Sequence, residues 1–223
     1  MTRTDFNHLP LTGWFPGHML KAGRHMQEAL GLIDAVVELI DARAPASTRN
    51  PNFADIVREK PRILVINKAD LADPERSRLW VEWFEKQGQT VFQLDSRHAR
   101  ETDRLVQLWK RLVQRERQRR GAKRPLNRPI RVMIAGIPNV GKSTLVNLLF
   151  DGRRAEVGPK PGVTRNTQWT PLRGGVELLD TPGVLWPHIR SKEHELRLAI
   201  LGCIRDEVMS TGLMAEFLWA EML

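Results

Sequence analysis

Five stretches of this chain are short, nearly continuous apolar runs that break off at polar or glycine-rich turns: residues 35–40, 62–66, 90–94, 130–135 and 175–179. Strands covered by helices on both faces have this pattern, whereas strands with one wet face alternate. Between them, helical stretches are expected over 19–32, 74–86, 102–119 and 143–149. Strand and helix in alternation predict a doubly wound α/β sheet. In such sheets ligands sit beyond the carboxyl ends of the strands, so that is where polar signatures should gather.

The pattern changes late in the chain. Leu196, Ile200, Ile204 and Val208 recur every four residues, which predicts one helix, and a second is expected over 213–223. Two helices of this size make a poor core of their own, so they dock on the main domain or belong to another one. The expected division is a main domain over 1–189 and a helical segment over 190–223.

Composition narrows the class. The chain has 223 residues, 41% hydrophobic and 27% charged, an ordinary globular balance that excludes disorder as the main description. Its apolar runs fall far short of the roughly 18 residues that cross a bilayer, so no membrane association is expected. Met1-Thr2-Arg3-Thr4-Asp5 has no apolar signal core. The single cysteine, Cys203, excludes an internal disulfide, fits a reducing cytoplasm and reads as a small buried apolar residue. A net charge of +9 favours a polyanionic partner. Residues 110–131 concentrate ten Lys and Arg against one acid, Glu116, and read either as a solvated linker or as a nucleic-acid contact.

The chemistry sits in three motifs. Gly136-Ile137-Pro138-Asn139-Val140-Gly141-Lys142-Ser143-Thr144 follows a predicted strand and opens a predicted helix, the setting of a P-loop. The N–H groups of such a loop cradle phosphates, Lys142 reaches the β and γ phosphates, and Ser143 ligates Mg²⁺. Its two glycines are expected to permit the close approach. Asp180-Thr181-Pro182-Gly183 ends a strand, so Asp180 can support the Mg²⁺ shell while the Gly183 N–H meets the γ-phosphate. Thr164, between these two, supplies a second hydroxyl for Mg²⁺, with Thr167 as a rival.

Asn67-Lys68-Ala69-Asp70 closes the second strand. A carboxylate here accepts hydrogen bonds from guanine N1–H and the 2-amino group, which adenine does not offer, and so selects GTP over ATP. Lys68 can lay its stem along the base, and Asn67 can tie this loop to the P-loop. Ser96 and the Arg97 N–H, after the third strand, can complete the base pocket. In Ras-like GTPases the P-loop comes first; here the guanine motif precedes it. The fold expected is therefore a three-layer P-loop NTPase sheet of Ras-like type, circularly permuted, with an α-helical C-terminal extension and the basic linker joining the old termini.

Together with Trp14-Phe15-Pro16-Gly17-His18-Met19, Asp41-Ala42-Arg43-Ala44-Pro45 and Pro161-Gly162-Val163-Thr164, these motifs resemble the ribosome biogenesis GTPase A (YlqF-type) family of circularly permuted GTPases. The resemblance implies a GTPase that assists assembly of the large ribosomal subunit, binds its rRNA, uses GTP and GDP with Mg²⁺, and is stimulated by the subunit. A cytoplasmic monomer is expected. Family members continue into a longer helical domain, so 190–223 reads as its start, either truncated or short by nature. Ser96-Arg97-His98 departs from the family's usual Ser-Ala.

Where Ras-like enzymes carry a water-orienting glutamine, this chain has Val184 and Leu185. His18 resembles the family's candidate catalytic histidine, with helix capping or RNA contact as alternatives. Asn139 resembles the asparagine through which some related GTPases bind K⁺; a plain loop residue is the alternative. Asp41 and Arg43, at the end of the first strand, read as an ion pair or as a switch or RNA contact. His8, His25, His98, His188 and His194 show no metal-ligand spacing. A rival function is a nucleotide-gated RNA-binding module with little intrinsic hydrolysis.

Overall fold

A computed structural model of the chain describes residues 5–13, 28–51, 53–57, 60–95, 99–124, 126–150, 169–179, 189–204 and 206–222. The motif around Trp14 and His18, the residues Ser96 and Arg97, the segment with Thr164 and Thr167, and Asp180 through Leu185 lie outside the described residues.

Among the described residues six strands form one sheet: β1 (Ala35–Asp41), β2 (Arg62–Asn67), β3 (Thr90–Leu94), β4 (Ile130–Ala135), β5 (Trp169–Leu172) and β6 (Val176–Leu179). Their order is β3-β2-β1-β4-β6-β5. All neighbours pair in parallel except β5, which runs antiparallel to β6 at the edge. This is the arrangement expected of a permuted Ras-like sheet, with the P-loop strand β4 in the middle beside β1. Chain direction across the sheet reverses between these two strands, and a doubly wound sheet opens its ligand crevice at such a point.

Sequence pattern overlooked β5. Its four residues include Pro171, which cannot donate to a ladder and suits only an edge. The fifth expected strand begins at Val176 rather than 175, because Gly174 and Gly175, at φ 72° and 71°, form the hairpin turn.

The helices are α1 (Pro45–Thr48), α2 (Phe53–Val57), α3 (Pro74–Lys86), α4 (Ala99–Arg119), α5 (Lys142–Leu149), α6 (Lys192–Ile200) and α7 (Thr211–Met222). α3 starts where expected because Asp73 caps it, its carboxylate accepting from the Arg76 N–H, with Pro74 at the first position. Of the helix expected over 19–32, the described part ends in a 3-10 turn, Leu30–Leu32. The four-residue repeat from Leu196 to Val208 does not form one helix. Gly202, at φ 70°, turns the chain after α6, and the N–H groups of Gly202 and Cys203 donate to the carbonyls of Ala199 and Leu198. That Schellman closure satisfies the helix end, and backbone hydrogen bonding outweighs the apolar period.

Alternate strand residues face alternate layers. Val37, Leu39, Val65, Val132 and Ile134 pack with Leu105, Trp109 and Leu145 of α4 and α5. Val36, Met133 and Ala135 pack with Phe53 and Val57 of α2, while Ile40, Leu64 and Ile66 pack with Phe84 of α3. The late helices dock rather than standing apart: Leu196, Leu198, Ala199 and Phe217 join the α4–α5 side of the core. Phe217 also meets Phe6 edge to face, with centroids 5.2 Å apart. Cys203 is buried, as expected of a small apolar residue.

Candidate functional site

Two loops leave the carboxyl ends of β2 and β4 and are locked to each other. Asn67, fully buried at the end of β2, donates from Nδ2 to the Val140 carbonyl at 2.8 Å. The next residue, Lys68, takes the left-handed conformation at φ 59° and donates from Nζ to the Asn139 carbonyl at 2.6 Å. The tie expected of Asn67 is therefore present, and Lys68 adds a second. Asp70 follows, solvent-exposed, in the 3-10 turn Ala69–Leu71 that the αL residue initiates.

Lys68 is also held from below. Its Nζ lies 2.9 Å from Oδ2 of Asp41, a carboxylate with no solvent exposure at the end of β1. Arg43 binds the same group through Nε at 2.9 Å, Nη2 at 2.7 Å and its own N–H at 3.0 Å. Burial pushes the Asp41 carboxyl up, but the hydrogen bonds from Arg43 and Lys68 outweigh it and hold the group below its ordinary range. Of the roles open to Asp41 and Arg43, the described residues display the ion pair, and it fixes the lysine of the guanine motif.

The P-loop begins with a glycine for a reason the motif alone does not give. A Cβ on Gly136 would stand 2.5 Å from the Leu39 carbonyl oxygen, so this glycine lets β4 exit hard against β1. This packing constraint on Gly136 stands beside the close approach to phosphate expected of the loop. Gly141, at φ 100°, makes the turn into α5, and Asn139 at φ 62° also sits left-handed. Among the described residues no side chain caps α5, so its first N–H groups remain available at the positive end of the helix dipole. Ser143 and Thr144 are exposed in that first turn.

Lys142 folds back over the loop and donates from Nζ to the carbonyls of Gly136 at 3.0 Å and Ile137 at 2.8 Å. Two of its three donors are thus spent on orientation. Burial, partly offset by the neighbouring Cys203, draws its ammonium down to about 8. Burial likewise raises the Cys203 thiol to about 11. An uncapped helix start and a desolvated lysine are a fitting donor set for a polyphosphate. Among the described residues, no group of three or more His, Cys, Asp or Glu could hold a metal ion. A hydroxyl at Ser143 beside phosphate oxygens still fits Mg²⁺, which is commonly bound through one or two protein ligands plus substrate.

Several contacts around the site carried no sequence signal. Asn139 donates its side-chain amide to the Gly202 carbonyl, joining the P-loop to the turn after α6. Further out, Glu195 and Lys192 of α6 form a buried ion pair at 2.9 Å. Glu195 also accepts from the Thr12 N–H at 3.1 Å and from its hydroxyl. His194, which had no assigned role, lies with Nε2 2.9 Å from the Ser47 carbonyl and joins α6 to α1. The turn after α6 thus meets the P-loop at Asn139. β6 contributes to the same edge: its last residue, Leu179, is registered with Met133 of β4.

Comparison with known proteins agrees with this geometry. A family model described as 50S ribosome-binding GTPase matches residues 131–211. Ribosome biogenesis GTPase A of Priestia megaterium is 44% identical over 200 residues, covering 88% of this chain and 69% of that protein. The protein of the same name from Thermotoga maritima is 39% identical over 194 residues, covering 87% and 67%. Mitochondrial ribosome-associated GTPase 1 of Mus musculus is 38% identical over 214 residues, covering 92% and 65%. Among solved structures, GNP-bound YlqF from T. maritima superposes with a TM-score of 0.61 at 31% identity, covering 88% of this chain and 72% of that one.

Proposed function

The chain belongs to the ribosome biogenesis GTPase A family, and from that premise we propose that it binds and hydrolyses GTP as an assembly factor for the large ribosomal subunit. The observation that carries this is the double tie of Asn67 to Val140 and Lys68 to Asn139, which fixes a base-reading loop at a set distance from a phosphate cradle. Relatives named for ribosome biogenesis, and the net charge of +9, support a ribosomal partner with its rRNA.

In this reading Asp70 accepts from the guanine N1–H and 2-amino group, with Ser96 and the Arg97 N–H completing the pocket. The loop N–H groups from Asn139 to Thr144 hold the phosphates, and Lys142, already braced on two carbonyls, meets the β and γ oxygens. Ser143, Thr164 and Asp180 would hold Mg²⁺, which neutralises charge on the phosphates as the bond to the leaving group breaks. The Gly183 N–H contacts the γ-phosphate. Asn139 keeps Nδ2 on Gly202, so its Oδ1 is the atom that would face a K⁺. His18 orients the attacking water in place of the glutamine that Val184 replaces; His18→Ala slows turnover and leaves GTP affinity nearly intact. Loss of γ-phosphate contacts releases the segment after Gly183, which leads into the helices of 190–223 and changes their hold on the particle. The protein acts in the cytoplasm as a monomer, and no described helix is long and apolar enough to cross a membrane.

Phosphate release measured with and without immature large subunits tests the assignment. Strong stimulation is expected. Nucleotide-dependent binding without stimulation would instead mark a nucleotide-gated RNA-binding module, and calorimetry showing no preference for GTP over ATP would remove the guanine assignment.

A further inference from the structure

We propose that a basic cavity at the end of the sheet opposite the P-loop binds single-stranded RNA, seating one unpaired nucleotide with its phosphates on the rim. The proposal rests on the ribosomal reading above but concerns a separate surface. The cavity, about 780 Å³, lies between the last turns of α4, the linker that follows it, and the β5–β6 hairpin turn at Gly174 and Gly175. It opens at Ile130, where β4 begins, whereas the P-loop follows the end of the same strand after Ala135, about 17 Å away at strand rise.

Its charge is one-sided. Lys110, Arg117, Lys123, Arg124 and Arg128 line it, and among the described residues no carboxylate does. Of these cations only Arg128 has an ion-pair partner among the described residues, Asp34 at 2.7 Å and 3.0 Å. The one acid of the basic run, Glu116, is spent on Arg119 at 2.8 Å and Arg120 at 2.6 Å. Lys110, Lys123 and Arg124 have no ion-pair partner among the described residues. Arg117 is oriented, donating from Nη2 to the Arg124 carbonyl at 3.0 Å. Unneutralised cations fixed around a concavity attract phosphates, and guanidinium planes there can stack on a base.

The interior suits a base. Val113, Leu126 and Ile130 give it an apolar floor, and Gln114, Gln118 and Asn127, which also line it, carry amides of the kind that bond base edges. Gly175 leaves one wall as bare backbone, since a Cβ there would meet nothing within 4 Å. The volume falls within the roughly 300–1,000 Å³ of sites that enclose small organic ligands. A concave slot of this size admits a splayed-out nucleotide, whereas the regular outer surface of a duplex presents nothing to fill it. An acidic protein segment would match the charge but leave the apolar floor and the amides unused.

Fluorescence anisotropy of the full chain with a labelled unstructured RNA of about twelve nucleotides tests this, against a hairpin duplex of equal length. The double variant Lys123→Glu/Arg124→Glu is compared with Arg76→Glu/Lys86→Glu, an equal charge change on the exposed face of α3. The expected result is at least a tenfold loss for the first and less than twofold for the second. The salt slope of the first should fall by about 1.4, at about 0.7 per single-strand phosphate contact. Basal GTP turnover stays unchanged in both. Equal losses, tighter binding of the duplex, or displacement of the RNA by polyglutamate with no crosslink from 4-thiouridine to α4 or the linker would overturn the site. If the double variant still joins immature large subunits as wild type does, the RNA site falls and the assembly reading stands. If wild type joins no subunit in any nucleotide state, both fall.

Discussion

The Asn67 side chain and the Val140 main chain meet in a buried hydrogen bond of 2.8 Å across 73 residues of sequence. Asn67 ends the strand that presents the base-reading loop, and Val140 belongs to the loop that receives phosphates. The bond therefore fixes the spacing at which a nucleoside triphosphate must fit. Asn67→Ala removes the donor and leaves a buried carbonyl unpaired, costing about 1–3 kcal/mol. Urea denaturation should register that loss. GTP affinity by calorimetry should fall about tenfold, because 1.4 kcal/mol is a factor of ten. Unchanged affinity would show that Lys68 and Asn139 hold the spacing alone.

Lys142 gives a pH prediction with a definite sign. Burial lowers its folded value from 10.5 to about 8, so between these values the unfolded chain binds the extra proton. Lys142 thus opposes folding while it is charged, and the penalty is relieved as pH rises from about 8 toward 10.5. Relative to Lys142→Met, wild-type stability should increase across that window. Phosphates favour the charged lysine, so GTP binding at pH 8.5 should take up protons. Calorimetry in buffers of different ionisation enthalpy reads that uptake, and none is expected of Lys142→Met, which should also lose most GTP affinity.

The part of this site that was legible in sequence is the part set by local spacing. A strand running into Gly136 and a helix opening at Lys142 are consecutive in the chain, and so are Asn67 through Asp70. Strand runs and the Asp73-Pro74 helix start followed from the same short-range physics. β5 was missed because its Pro171 argues against a strand unless the strand is known to lie at an edge. Leu196 to Val208 misled because the apolar period continues past Gly202, where backbone geometry ends the helix. At Gly136 the motif shows nothing of a further constraint, the Leu39 carbonyl, which is a neighbour only in the folded sheet. Thr12 and Glu195 lie 183 residues apart, and no local pattern pairs them.

Potassium dependence is a direct test of Asn139. A cation held at its Oδ1 would neutralise charge developing between the β and γ phosphates. Turnover should be faster in KCl than in NaCl at equal ionic strength, and Asn139→Ala should abolish the difference. Equal rates for wild type would discard the cation and leave Asn139 its bonds within the fold.

The Lys192–Glu195 pair is 5% and 1% exposed, so each charge depends on the other, and the Glu195 carboxylate also on the Thr12 donors. Glu195→Ala leaves a buried ammonium unpaired and should cost about 3–5 kcal/mol in urea denaturation. Adding Lys192→Met removes the stranded charge and should recover much of the loss. If the double variant is no better than the single, the Thr12 anchor dominates the pair.

Asn139 also joins the P-loop to Gly202, the residue whose left-handed turn ends α6. In the proposed function, phosphates on the loop that carries Asn139 and a γ-phosphate on Gly183 would bias the turn beyond α6 by two routes, through space at Asn139 and along the chain from Gly183. The amides of Gly202 and Cys203 report on this turn, because each donates to a carbonyl of α6 only while the turn is closed. Hydrogen exchange at these two amides should be slower with a non-hydrolysable GTP analogue than with GDP. The amides of Val65 and Ile66 in the central strand β2 should exchange alike in both states. Identical protection of Gly202 and Cys203 in the two states would leave the late helices as a fixed part of the core rather than a reader of the nucleotide.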